Sequence, residues 1–82
     1  MDPDTQTMVS VKAPEAVRAL KAGRLVLAMA MVGGELSWEP VDTITRRKAT
    51  AGHIFYVVTF VGGAVRVFRA GGRFLVEGDS DD

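Results

Sequence analysis

The sequence predicts a mainly β domain, a small antiparallel meander of about five strands with one short N-terminal helix. The turns are marked by Gly-Gly pairs, which occur three times, at 33–34, 62–63 and 71–72. Each pair can adopt positive φ without steric cost, as two-residue hairpin turns require. The segments between the pairs are short, and short loops between sequential strands favour antiparallel pairing.

The length of the chain sets the domain organisation. Its 82 residues make one domain, and a chain of this size buries only about 60% of the surface that its unfolded form exposes. Residues 1–7 are polar and carry a proline, and residues 78–82 read Gly-Asp-Ser-Asp-Asp. We therefore expect a folded domain over 8–77 between a flexible N-terminus and a flexible acidic tail.

The first elements are a weak edge strand and a helix. Residues 8–12 partly alternate between apolar and polar side chains. Pro14 suits the first turn of a helix, and Glu15 and Lys21 sit near the dipole ends that favour their charges. Gly23 follows as a left-handed cap. These signals predict a helix of about eight residues, which needs packing to be stable; a tight turn of the same length is the alternative.

The rest of the chain has strand character. A strand that is wetted on one side alternates in polarity, whereas residues 53–61 are apolar on both faces. Residues 24–32 are apolar on both faces as well, and the small side chains of Ala28 and Ala30 on one of them leave room for a helix. A helix, a curled sheet or a second copy of the chain must cover the second face. The predicted strands are 24–32, 38–47, 53–61, 64–69 and 73–77.

The order of these segments resembles that of SH3-like small β-barrels over residues 20–77. Residues 20–27 (LKAGRLVL) lead into a first strand, residues 38–44 (WEPVDTI) form a second, and residues 56–63 (YVVTFVGG) close a hairpin. The resemblance lies at the level of the fold and points to no specific family. It implies a barrel or a strongly bent sheet, and an α+β open sheet with the helix on one face is the alternative.

Composition excludes several kinds of site and favours a cytoplasmic protein. The chain has no cysteine, which excludes disulfides, thiolate nucleophiles and cysteine-ligated metals. The longest apolar run, residues 25–32, is eight residues long, against the roughly 18 that a membrane helix requires. The N-terminus is acidic where a secretory signal would be basic. We expect no membrane association.

No catalytic apparatus is evident, so we predict a protein that is not an enzyme and has no metal or cofactor. His53 is the single histidine, and no Ser or Thr near it has the spacing of a nucleophile and its base. Glu35, Glu39 and Asp42 could hold calcium only loosely, because the EF-hand spacing is absent. We expect these acids to be solvated.

The formal net charge of zero conceals a segregation of the two signs. Five of the ten acids lie near the ends, at residues 2, 4, 79, 81 and 82. Residues 5–78 therefore carry ten basic and five acidic side chains, a charge of 10 − 5 = +5. From Thr43 to Val76 there are six basic residues and no acidic one. This asymmetry predicts a basic surface that recognises an acidic partner.

The predicted binding residues follow from this basic stretch. Arg66 and Phe68 share strand parity, and with Val65 and Val67 pointing inward they would lie side by side on an exposed face. Trp38 is expected to pack in the core or at its rim. Alternatively, the arginines only solubilise the sheet and protect its edges. The predicted binding set is Arg46, Arg47, Lys48, Arg66, Phe68, Arg69 and Arg73.

Our first functional hypothesis is a small protein-interaction module, an adaptor or inhibitor that docks on an acidic or apolar patch of a larger protein. The second is a nucleic-acid-binding barrel that places the basic set on phosphates. A third is an accessory protein of a virus or mobile element that binds a host protein. A homodimer is possible, because the two-faced strands need cover. Asp79, Asp81 and Asp82 could also fold back and screen the basic face.

Overall fold

The computed structural model describes residues 8–78, and the predicted flexible ends, 1–7 and 79–82, lie outside the described residues. The helix has nine residues, close to the predicted length of about eight. The five predicted strands lie within a few residues of their predicted positions. The elements are β1 (Met8–Lys12), α1 (Ala13–Lys21), β2 (Val26–Val32), β3 (Glu35–Lys48), β4 (Ile54–Phe60), β5 (Val65–Arg69) and β6 (Arg73–Glu77).

All the strands join one antiparallel sheet in the order β1-β6-β2-β3-β4-β5. The predicted mainly β class is therefore confirmed, with the weak N-terminal strand as the sixth. Because β1 and β2 both pair antiparallel with β6, they run parallel to each other on its two sides. Helix α1 makes the crossover between them, as a parallel connection requires.

Helix α1 is held by small buried side chains. Pro14 occupies its first turn, and Gly23 follows its end with φ +81°. The predicted helix is therefore confirmed, and the alternative of a tight turn is not. Its buried residues are Ala13, Ala16 and Ala19, whose methyl groups let the helix axis approach the sheet closely. The facing residues of β2 are small too, as the sequence predicted, since Ala28 and Ala30 are buried on the helix side.

The three Gly-Gly pairs make different turns. Gly33 and Gly34 both have positive φ, +58° and +86°, and Val32 pairs with Glu35, so this pair forms the predicted two-residue hairpin. In the third pair neither glycine has positive φ. The glycine at 72 is required for space instead, because a Cβ there would lie 3.1 Å from the side chain of Phe68.

Strand β3 divides the sheet into two halves. Its first residues pair with β2 and its last residues pair with β4, and the register shifts between Val41 and Thr43. Such a bulge bends a strand and increases its twist. The halves fold toward each other, because the rings of Phe68 and Phe74 lie 5.0 Å apart although β5 and β6 share no ladder in the described chain. The sheet is therefore strongly bent and unclosed.

The core lies inside this bend. Cross-strand partners share a face of the sheet, and the registers place all buried strand residues on the same face, which we call the inner face. The opposite side is the outer face. The buried strand residues are Val11, Val26, Ala28, Ala30, Val41, Tyr56, Val58, Phe60, Phe74 and Val76.

Within residues 8–78, the structure contains no helix with the length and apolar character needed to cross a membrane.

Candidate functional site

The outer face of the first half is apolar where β2 pairs with β3. In three alternate rows of the β2–β3 hairpin the outer-face pairs are Leu27 with Pro40, Met29 with Trp38, and Met31 with Leu36. On β6, Leu75 lies beside Leu27. None of these side chains is charged. We call the following set the hairpin face: Leu27, Met29, Met31, Leu36, Trp38 and Leu75.

Half of the hairpin face is open to solvent, while Leu27, Met29 and Leu75 are half-buried. Met31 is 62% exposed, Leu36 61% and Trp38 39%. Strand β2 produces this surface because its inner positions are filled by small side chains that accept the helix, while its large side chains alternate to the outside. Trp38 thus lies on the outer face and not in the core. A contiguous apolar patch of this kind on a folded domain marks an interaction surface.

Basic side chains border the hairpin face on the side of β1. Lys12 is the cross-strand partner of Arg73, and strand alternation puts both on the outer face with Leu75. Glu77 also lies on that face, where its carboxylate accepts a 3.2 Å hydrogen bond from the amide of Leu25. This border offers two cations to an acidic group on a partner.

Two of the three acids of strand β3, Glu35 and Glu39, face the other way. Glu35, Ser37 and Glu39 are partners of inner-face residues of β2. The hydroxyl of Ser37 donates a hydrogen bond to the carboxylate of Glu39. The hairpin face therefore stays free of negative charge along β3 up to Pro40.

The outer face of the second half carries a different row. Arg47 pairs with Phe55, and Phe55 pairs with Arg69, so one ring stands between two arginines on three adjacent strands. We call these three residues the Arg-Phe-Arg row. The next row along the strands consists of Thr45, Val57 and Val67. Of these, Val67 is 61% exposed, so the row lies beside an open apolar surface.

The structure separates the predicted binding set into two groups. Because side chains alternate along a strand, residues that are adjacent in the sequence diverge. The outer-face members are Arg47, Arg69 and Arg73. The inner-face members are Arg46, Lys48, Arg66 and Phe68. The seven residues are thus divided between the two faces of the sheet.

The expected orientation of β5 was wrong. Val65 and Val67 point outward and are 58% and 61% exposed, whereas Phe68 is half-buried against the core. The register explains the difference, since Phe68 pairs with the buried Tyr56 and its ring meets Phe74. On the inner face Phe68 extends the buried cluster, whereas Val65 and Val67 pair with the partly buried Thr59 and Val57 on the outer face.

Arg66 connects the two halves of the sheet. Its guanidinium lies 5.2 Å from the centre of the Phe68 ring, and it donates a hydrogen bond to the backbone carbonyl of Met29 in β2. These contacts place Arg66 against the protein itself. Of the residues that the sequence predicted for binding, Arg66 and Phe68 thus both have structural contacts across the two halves.

The described residues show little other polar chemistry. No group of three or more His, Cys, Asp or Glu side chains in residues 8–78 is arranged to hold a metal ion. No buried side-chain nitrogen or oxygen in that range lacks a hydrogen-bond partner. His53 is exposed just before β4, where the sequence placed it. The hairpin face and the Arg-Phe-Arg row are the two surfaces from which a function can be proposed.

Sequence reasoning missed the hairpin face as a site. The signal was present, because residues 24–32 are apolar on both faces and a cover for each was required. The helix covers the face with the small residues. The face of β2 that α1 covers depends on how the helix packs, and the sequence pattern does not specify that packing.

Comparison with known proteins found no matching family model, no matching curated protein and no matching solved structure.

Proposed function

We propose that this chain is a non-enzymatic protein-interaction module, an adaptor or inhibitor that binds a larger protein through the hairpin face. The observation that carries the proposal is the run of apolar outer-face pairs from Leu27 to Leu36, which bears no charge and is exposed at Met31, Leu36 and Trp38. Removing such side chains from water contributes about 25 cal/mol per Å² of apolar surface, against which the entropic and desolvation costs of association are set. The surface thus provides a driving force for association.

The composition of the hairpin face indicates the partner chemistry. Met29 and Met31 are unbranched and adapt to irregular apolar surfaces. Trp38 is the residue type most often found as an anchor at the centre of interfaces. Lys12 and Arg73 at the border favour a partner whose apolar patch has an acidic group beside it. An apolar patch with an acidic edge is therefore the surface that we expect on the larger protein.

The proposal is tested by changing the polarity of the hairpin face. We expect the tagged chain to retain one stoichiometric protein from a lysate of the source organism, with or without nuclease. The double variant Met31→Ser/Leu36→Ser should lose that protein, because it replaces two apolar side chains of the hairpin face by polar ones. Both side chains are more than half exposed, so their loss leaves the core intact. Circular dichroism of the variant should match that of the parent chain.

The matched control is Val65→Ser/Val67→Ser, which removes two apolar side chains of similar exposure from the other half of the sheet. Retention of the partner by this control and its loss from the hairpin variant supports the proposal. Equal loss from both variants, or the absence of any stoichiometric protein that survives nuclease treatment, contradicts it.

A second copy of the chain is the other possible occupant of the hairpin face, since an uncharged surface can pair with itself by a two-fold axis. Light scattering during size-exclusion chromatography distinguishes the two. A monomer at high micromolar concentration agrees with a larger partner. A dimer that dissociates in Met31→Ser/Leu36→Ser would assign the hairpin face to self-association and would contradict the proposal.

We also propose a cytoplasmic location. The support is compositional, because a small domain without cysteine lacks the disulfides that stabilise most small secreted domains. We further propose that the fold is SH3-like. The support for this is that the meander from β2 to β6 ends with β6 paired to β2.

A further inference from the structure

The Arg-Phe-Arg row places an aromatic side chain between two cations. Phe55 lies on the central strand, and Arg47 and Arg69 flank it on the two neighbouring strands. Adjacent strands are about 4.8 Å apart, so the two arginine Cα atoms lie about 10 Å apart across the row. The register therefore places one aromatic ring between two positive charges.

The surroundings of the row favour an anionic ligand with planar groups. No acidic residue occurs between Thr43 and Val76, so no carboxylate on β4 or β5 neutralises the two guanidinium groups. A shallow hollow adjoins the ring, and its lining includes His53, Phe55, Val67 and Arg69. A flat apolar hollow beside cations suits a nucleobase with its phosphates.

We propose that the Arg-Phe-Arg row binds single-stranded nucleic acid, with a base stacked on Phe55 and phosphates on Arg47 and Arg69. Stacking on an aromatic side chain requires a base whose face is free, which single strands provide and duplexes do not. The two guanidinium groups supply the sequence-independent attraction to phosphate. This activity is separate from the protein binding proposed above, because it uses the second half of the sheet.

The test measures fluorescence anisotropy of a labelled oligodeoxythymidine of about 12 nucleotides, a length within the usual site size of small β domains. We expect binding at low salt. With two phosphate contacts, affinity should fall about sevenfold between about 50 and about 200 mM salt, because each contact contributes about 0.7 to the logarithmic slope. Replacement of Arg47 by Gln should weaken binding and flatten that slope.

Two aromatic variants test the stacking. Phe55→Leu keeps an apolar side chain but removes the ring, and we expect at least about fivefold weaker binding. Phe55→Trp restores an aromatic face and should bind as tightly as the parent chain. The oligonucleotide affinity of Met31→Ser/Leu36→Ser should be unchanged, so failure of this proposal is distinguishable from failure of the protein-binding one.

Arg46→Gln is the matched charge control. Arg46 precedes Arg47 in the chain but faces the inner side of the sheet, so both variants remove one charge at nearly the same place. Loss of binding in Arg47→Gln with retention in Arg46→Gln supports the row. The proposal is overturned by equal effects of the two variants, by full binding of Phe55→Leu, by equal affinity for a duplex of the same length, or by no binding at low salt.

Discussion

Arg46 and Arg47 are neighbours in the chain, yet they lie on opposite faces of the sheet. Arg46 borders a hollow with the helix residues Pro14 and Arg18, whereas Arg47 stands in a row with Phe55. The cause is the two-residue period of an extended chain. A cluster of charge in the sequence of a strand is thus divided between two surfaces in space.

The same alternation gives equal residues unequal importance for stability. Val58 of β4 is fully buried, while Val65 of β5 is 58% exposed. We predict that Val58→Ala lowers the free energy of unfolding by about 2 kcal/mol, because it removes buried methyl groups and leaves a cavity. Val65→Ala should cost less than about 1 kcal/mol, the range of strand propensity.

Urea denaturation followed by circular dichroism measures both values. The slope of free energy against urea should be the same for the two variants if the folded state is unchanged. Equal losses of stability at the two positions would show that the burial pattern of β4 and β5 is not the one described above.

At the scale of elements, the turn between β5 and β6 joins the two halves of the sheet. In this turn the backbone comes closest to the Phe68 side chain at Gly72. The amide of Gly72 donates a 2.9 Å hydrogen bond to the carbonyl of Arg69. Because this turn brings Phe68 onto Phe74, its geometry determines how the halves meet. Neighbouring glycines in the turn therefore differ in their tolerance of a side chain.

We predict opposite outcomes for two adjacent substitutions. Gly71→Ala meets no atom within 4 Å and has no positive φ to strain, so it should be neutral or stabilise the fold by up to about 1 kcal/mol through the unfolded state. Gly72→Ala places a Cβ 3.1 Å from both the Arg69 carbonyl and the Phe68 ring. Relative to Gly71→Ala, it should destabilise the fold by about 1 kcal/mol or more.

Thermal and urea unfolding of the two variants provide the measurement. An alanine at 72 that is as stable as an alanine at 71 would mean that the turn does not approach Phe68 closely. If the alanine at 72 does crowd the Phe68 ring, a smaller side chain at position 68 should recover part of the stability that Gly72→Ala loses.

At the scale of the whole molecule, the bent sheet has two edges. Within residues 8–78, β1 pairs only with β6, and β5 pairs only with β4. Edge strands open locally more easily than central ones, because one side of each has no ladder. The core cluster, in contrast, is formed mainly by β2, β4 and β6 together with the helix alanines.

We therefore predict that hydrogen exchange is graded across the sheet. The amides of β4 that pair with β3 and β5 should exchange slowest, and those of β1 and β5 that point away from the sheet should exchange first. Mass spectrometry of peptic peptides at neutral pH measures this gradient. Uniform protection from β1 to β5 would indicate that both edges are covered, as they would be in an edge-paired oligomer.

Most elements of this protein are predictable from its sequence, from the helix that begins near Pro14 to the hairpin at Gly33–Gly34, because caps, glycine pairs and apolar strands are local properties. The sequence also predicts that residues 24–32 need cover on both faces, but in the structure the face with Ala28 and Ala30 is buried and Met31 on the other face is 62% exposed. The bend at Val41–Thr43, the inward side of β5 and the Arg-Phe-Arg row follow only from the tertiary structure. These features depend on the register between strands distant in the chain, and a shift of one residue in register exchanges the two faces of a strand.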